Sequence, residues 1–327
     1  MPEFKIQHIT RYTYEGIVRD SANQIILFPL TDVAQEVLKH DLTITGNPTV
    51  DTHTDYYGNE VGSFTYLEKH SRLVINSEVL VVTHPKELPP DTSPAQEQWQ
   101  KLNSLQYIVP YIDFLKPEYF EALPELINSI EQQKQEGETP YQTALRFTEY
   151  IYNNFDYVPG VTTVESTLDE VWKLKAGVCQ DFAHLLIQIL RLLKIPARYV
   201  SGYICPNHNG MRGEGATHAW AEVYIPDYGW IGIDPTNNCV ANERHVRLAV
   251  GRNFSDCSPV KGVYKGNSGH MLEVKVSVEY RNQAMAQPED PIAADSFIQA
   301  TEAEPFTTNS YRRYQEIMLM QQQQQQQ

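Results

Sequence analysis

The spacing of apolar side chains switches twice along this chain, and those switches constrain its fold more than any other feature. From residue 4 to about 85 the pattern belongs to strands. Phe4-Lys5-Ile6-Gln7-His8-Ile9-Thr10-Arg11-Tyr12-Thr13-Tyr14 alternates in part and is rich in Ile, Thr and Tyr. Further strands are expected at 38–45, 61–66 and 73–82, with Tyr57-Gly58-Asn59 as a turn. No helical pattern intervenes, so the spacing predicts an antiparallel, sandwich-like β domain over residues 1–90. Pro85-Lys86-Glu87-Leu88-Pro89-Pro90-Asp91 reads as the linker that ends it.

From about 95 to 195 the period becomes helical. Thr139-Pro140 supplies an N-cap and a first-turn proline for a helix reaching about Phe155, and Thr167 with Glu170 forms a capping box. The strongest helix spans 179–194: Phe182, Leu185, Leu186, Ile189 and Leu193 lie on one stripe, and Pro196 follows its end. Strands return at 197–204, 217–225, 230–234 and 271–280. Residues 91–281 are therefore expected to form a second, α+β domain. Residues 282–327 turn polar, end in seven glutamines and lack the apolar surface to fold alone, apart from one short helix expected over 311–320.

Charge narrows the function. Lys and Arg number 26 against 41 Asp and Glu, a net charge of −15, which repels phosphate backbones and anionic lipid. Nucleic acid and membrane are thus not expected partners. The N-terminus carries no basic region followed by an apolar stretch, so a cytoplasmic protein is expected. Four cysteines without a CxxC pair are then expected as free thiols.

One of them stands out. In Gly177-Val178-Cys179-Gln180-Asp181-Phe182-Ala183-His184, Cys179 falls in the first turn of the 179–194 helix. Unpaired N–H groups there favour a thiolate and can donate to an oxyanion. Taken alone, Cys179 is equally a small buried apolar residue, three positions before Phe182 on the stripe. Thr217–Ile225, the turn Pro226-Asp227-Tyr228-Gly229 and Trp230–Asp234 read as a hairpin. His218 begins one strand and Asp234 ends the other, so both stand at the same end. A cysteine nucleophile needs a base, and the base needs an acceptor to fix its tautomer; His218 and Asp234 are the candidates.

These three runs, closing with Asp234-Pro235-Thr236-Asn237-Asn238, resemble in order the Cys–His–Asp motifs of the transglutaminase-like superfamily. Residues 8–14 and Gly251-Arg252-Asn253-Phe254-Ser255-Asp256 are similar to segments of its bacterial branch, so the resemblance covers about residues 4–281. It implies a papain-like catalytic core after the β domain, a thiolate that attacks an amide carbonyl, and a peptide or protein amide as substrate, with no cofactor and no metal. It also implies an oxyanion hole made of the nucleophile's own N–H and an upstream group, for which Trp172 is a weak candidate. Because papain-like enzymes use Asn in the orienting role, Asp234→Asn is expected to be mild. A non-catalytic scaffold with a relic triad is the alternative class, and three chemically competent residues argue against it.

Other features carry less. His184, sharing a helix face with Asp181, Gln188 and Arg191, is expected at the surface or behind the site. Trp220 and Trp230 are expected to pack the hairpin. Cys205, His208, Cys239 and Cys257 are too irregularly spaced to predict zinc.

Overall fold

The computed structural model describes residues 1–205, 211–213 and 216–281. The chain runs β1 (Glu3–Ile25), β2 (Gln35–Ile44), β3 (Asp51–Thr54), β4 (Glu60–Tyr66), β5 (His70–Thr83), α1 (Ala95–Ser104), α2 (Leu123–Gln133) and α3 (Pro140–Asn154). It continues with β6 (Asp156–Tyr157), α4 (Leu168–Leu174), β7 (Ala176–Gly177), α5 (Cys179–Leu192), β8 (Ala197–Ile204), β9 (Thr217–Ile225), β10 (Gly229–Asp234), β11 (Cys239–Val240), β12 (His245–Gly251), α6 (Phe254–Cys257), β13 (Val260–Lys265) and β14 (His270–Tyr280). The fold is α+β, an antiparallel N-terminal sheet joined to a helix-covered sheet. The helix expected over 311–320 lies outside the described residues.

The N-terminal sheet depends on one strand. Residues 4–14 of β1 lie between β5 and β14, and its residues 21–25 lie between β4 and β13. The register breaks between Thr13 and Val18, where the strand passes from one set of partners to the other. A single 23-residue strand thereby serves both halves of a sheet folded around Phe4, Ile6, Ile25, Leu73, Ile75 and Val81. The strands at 260–265 and 270–280, grouped by sequence with residues 91–281, belong to this sheet instead of the second one. The grouping is corrected for a physical reason: β1 exposes a hydrogen-bonding edge that only a strand from elsewhere in the chain can fill.

The second sheet has the order β11-β10-β9-β8-β12. α5 lies on it, burying Phe182, Leu185, Leu186 and Ile189. The start of α3 is set by a capping box of Thr139 and Gln142 with Pro140 in the first turn, and that of α4 by Thr167 and Glu170. Polar links fasten the sheets together. Arg247 on β12 pairs with Glu222 on β9 and with Asp32 of the N-terminal unit, and Glu222 also holds Arg198 at 2.5 Å. Asn59 exchanges hydrogen bonds of 2.7 and 2.8 Å with the backbone of Val250. Among the described residues no helix is long and apolar enough to cross a membrane.

Candidate active site

Cys179 is the first residue of α5, and the turn before it is tightly built. β7 pairs in parallel with β6, Gly177 opposite Tyr157. Asp181, two residues into the helix, turns back to accept the N–H of Val178 at 2.8 Å and the hydroxyl of Thr162 at 2.6 Å. Its carboxylate thereby covers Gly177, where a Cβ would lie 2.6 Å from Asp181 Oδ2, so only glycine fits. Asp181 takes up the N-cap N–H and leaves the N–H groups of Cys179 and Gln180 without intrahelical acceptors. Cys179 itself is half-buried.

His218 and Asp234 arrive by the hairpin register. Ile233 pairs with Ala221 and Gly232 with Glu222, so Asp234 falls opposite Trp220 and His218 is its diagonal neighbour. His218 Nε2 donates to Asp234 Oδ2 at 2.8 Å, with both side chains fully enclosed. Among the described residues the other ring nitrogen, Nδ1, has no partner that meets hydrogen-bond distance and angle, and the Cys179 thiol is near enough that its charge and then its hydrogen-bonding act on this ring. Burial alone would lower the pKa of His218; the Asp234 carboxylate and then Cys179 outweigh it and bring it up to about 10. Burial likewise opposes ionisation of Asp234, but His218 and then His245 hold it well below the usual carboxylate range.

Asp234 is held by more than the histidine that faces the thiol. Its Oδ1 accepts Thr236 N–H at 2.8 Å. Its Oδ2 accepts Asn237 Nδ2 at 2.8 Å as well as His218, and lies 3.3 Å from His245 Nε2. Asn237 also ties the segment at Arg212 to the site through Oδ1 and Nδ2. His245 and Asn237 carry no periodicity or motif spacing that marks them as neighbours of Asp234, although Asn237 lies within the Asp234–Asn238 run. His218 Nε2, His245 Nε2 and Asp234 Oδ2 converge closely enough to consider a metal. These atoms are already committed to one another as donors and acceptor, and His245 Nδ1 accepts an N–H, which puts the hydrogen on the nitrogen a metal would need.

Trp220 fills the space between the two histidines, stacked with His218 at 6.2 Å and edge-on to His245 at 5.2 Å. Gly202, paired with His218, permits this: a Cβ there would lie 2.2 Å from the Val246 carbonyl and 2.6 Å from the Trp220 ring. Trp220 therefore packs the hairpin, as expected. Trp230 is half-buried beside Phe114 and under Arg198.

Trp172 is not an oxyanion donor. It is 4% exposed, and its Nε1 donates to Glu125 at 2.9 Å. Tyr157 is a neighbour of the thiol that spacing did not reveal. It follows a helix end in Phe155-Asp156-Tyr157, without motif or period, and the β6–β7 pairing sets it beside the turn that carries Cys179. Burial first, then the charges of Cys179 and Asp234, push its pKa up to about 12, against the nearby Arg212.

His184, expected at the surface or behind the site, is partly buried on the edge of a cleft, and its neighbours on that face are more enclosed. Asp181, Gln188 and Arg191 are buried, and the polar groups of Gln188 and Arg191 hold two passing segments. Gln188 exchanges hydrogen bonds with the backbone of Glu118, and Arg191 donates to the carbonyls of Lys116, Ala197 and Arg252. His184 Nε2 accepts the N–H of Phe254 at 3.0 Å, and burial lowers its pKa to about 4. A cleft of about 390 Å³ opens on that flank of α5, between Tyr119, Val164, Asp181, His184 and Asn253. Cys205 and Cys257 are buried, and among the described residues no metal-binding group forms around Cys205, Cys239 or Cys257. His208 lies outside the described residues.

A thiol at the start of a helix laid over an antiparallel sheet, with a buried His–Asp pair on the sheet, is the architecture on which cysteine-dependent acyl transfer is built. Residues 128–235 match the transglutaminase-like superfamily, and residues 4–82 match the bacterial transglutaminase-like N-terminal region. A protein of Mycobacterium leprae described as uncharacterised is 30% identical over 282 residues, covering 85% of this chain and 99% of the relative. One of Mycobacterium bovis, described in the same way, is 32% identical over 297 residues, covering 84% and 92%. A protein-glutamine gamma-glutamyltransferase of Pseudomonas aeruginosa is 34% identical over 91 residues, 26% of this chain and 14% of that protein. The crystal structure of a "putative cysteine protease" from Cytophaga hutchinsonii has the same fold, with a TM-score of 0.69 at 24% identity over 87% of this chain and 92% of the other. This chain belongs to the transglutaminase-like superfamily.

Proposed function

We propose that this protein is a cysteine-dependent enzyme that cleaves or transfers the acyl group of peptide or protein amides. The observation that carries the reading is the buried His218–Asp234 pair, with the Nδ1 of His218 left, among the described residues, for the thiol at the start of α5. The glutamyltransferase relative and the fold of the Cytophaga hutchinsonii structure support it.

In this reading the Cys179 thiolate attacks the amide carbonyl carbon, forming a C–S bond and an oxyanion. The N–H of Cys179 and the Tyr157 hydroxyl donate to that oxyanion; with a pKa near 12 the phenol keeps its proton at neutral pH. The intermediate collapses, the C–N bond breaks, and His218 gives its Nδ1 proton to the departing amine. Water or a primary amine then attacks the thioester while His218 takes its proton, and the C–S bond breaks to restore the thiolate. Asp234 stays ionised and holds the imidazolium in orientation.

Incubation with a peptide library, with and without an added primary amine, tests this when products are identified by mass. Hydrolysed or amine-linked products that vanish in Cys179→Ala are expected. Products that persist in that variant would overturn the assignment.

A further inference from the structure

Asp234 Oδ2 receives three donors, and two of them, Asn237 and His245, have no place in the triad. His245 begins β12, is 5% exposed, and sits at a tight turn: its own N–H donates to the Asn242 carbonyl at 2.9 Å, and the Asn242 N–H donates to His245 Nδ1 at 3.2 Å. A ring nitrogen that accepts an N–H carries no hydrogen of its own. The hydrogen of His245 is therefore on Nε2, the atom 3.3 Å from Asp234 Oδ2. Packing against Trp220 alone needs no nitrogen in this ring, and it needs no turn that selects which nitrogen bears the hydrogen.

We propose that His245 is a positioning residue of the site: it shares the Asp234 carboxylate with His218 and thereby sets how strongly that carboxylate holds the imidazolium beside Cys179. The inference rests on the catalytic reading above. The physical argument is competition. His218, Asn237 and His245 all direct hydrogens at one oxygen, whose two lone pairs cannot serve three donors equally. Each donor that draws on Oδ2 lessens what remains for His218. Among the described residues the other titratable groups around the pair are Cys179 on α5, Tyr157 on β6 and Cys239 on β11, with Arg212 beside Tyr157. His245 is the added donor on the carboxylate itself, so its removal acts on the pair directly.

The test reads the imidazolium without needing a substrate. Alkylation of Cys179 by iodoacetate, an anion drawn by the imidazolium, is followed from pH 5 to 11 on the full chain, with circular dichroism and Tm recorded for each variant. In wild type the rate falls on the alkaline side as His218 loses its proton, and that limb is absent in His218→Ala. His245→Phe removes the donor and leaves Oδ2 to His218, so the limb is expected to move upward by about half a pH unit to one unit. His245→Met, which lacks the donor but adapts to the slot, is expected to move it the same way. His245→Gln, whose amide can donate from a similar place, is expected to return it close to wild type. An unmoved limb in folded His245→Phe or His245→Met, or the same shift in His245→Gln, overturns the proposal. If wild type itself lacks a limb that depends on His218, the catalytic reading fails first.

Discussion

Replacing Asp234 by asparagine is the sharpest perturbation of this site, because the structure reverses the mild outcome expected from papain-like enzymes. Both carboxylate oxygens of Asp234 face only donors: Oδ1 meets Thr236 N–H, and Oδ2 meets His218, Asn237 and His245. Either orientation of an amide therefore sets its NH₂ against at least one N–H. The charge is lost as well. The rise of His218 from 6.5 to about 10 corresponds to about 5 kcal/mol in favour of the imidazolium, with Asp234 first among the attractions that overcome burial. Without that carboxylate, burial dominates and the pKa of His218 falls to its ordinary value or below. Breaking a buried ion pair on one side costs about 3–5 kcal/mol, so kcat/KM at pH 7 should drop by roughly a hundred- to a few-thousandfold. The alkaline limb of the pH–rate profile should move down with it. Stability carries a matching signature. A pKa raised by folding stabilises fully below the unfolded value, so this contribution is present below about pH 6.5 and is lost as pH rises through about 10. Wild-type Tm should decline over that window, and Asp234→Asn should show a flatter profile. Kinetics and thermal melts from pH 5 to 10 decide the matter. An asparagine variant within tenfold of wild type, with its alkaline limb in place, would refute the reasoning.

Three other outcomes are expected. Tyr157→Phe should lower kcat by about 10²–10³ while KM changes only a few-fold, because in the proposed mechanism the hydroxyl acts on the oxyanion and not on bound substrate; an unchanged kcat in steady-state kinetics would remove it from the site. Sub-stoichiometric iodoacetamide at pH 7 should label Cys179 first, since burial pushes the thiols of Cys205 and Cys257 far up and that of Cys239 to about 12; peptide mapping that finds another cysteine labelled first would contradict this. Glu222→Ala should destabilise by about 3–5 kcal/mol in urea unfolding, because it leaves the guanidinium groups of Arg198 and Arg247 without their shared buried partner, and a loss under about 1 kcal/mol would show the network to be incidental.

The features the sequence made legible are those written in short-range pattern. The stripe Phe182–Leu185–Leu186–Ile189 encodes α5 and its buried face, and with it the position of Cys179 in the first turn. The hairpin from Thr217 to Asp234 is encoded by two strand-like runs around Pro226–Gly229, which is enough to bring His218 and Asp234 to one end. A local period reports which face of an element is covered, however, and not what covers it. On the polar side of α5 that carries His184, Gln188 and Arg191 are covered by backbone segments at 116–118 and 252–254, which no local period announces. The long-range pairings had no local signal at all: β13 and β14 return to β1 more than 200 residues later because its edges need partners. Tyr157 reaches the thiol through a parallel pairing of two residues, and His245 reaches Asp234 because Gly202 lets Trp220 and β12 close together. Sequence alone thus determined the chemistry the site can hold, since residue type and short-range period carry that information. Tertiary structure alone decided how many donors share the carboxylate, which tryptophan fills the space between the two histidines and which tyrosine stands near the thiol, since those depend on distances between strands far apart in the chain.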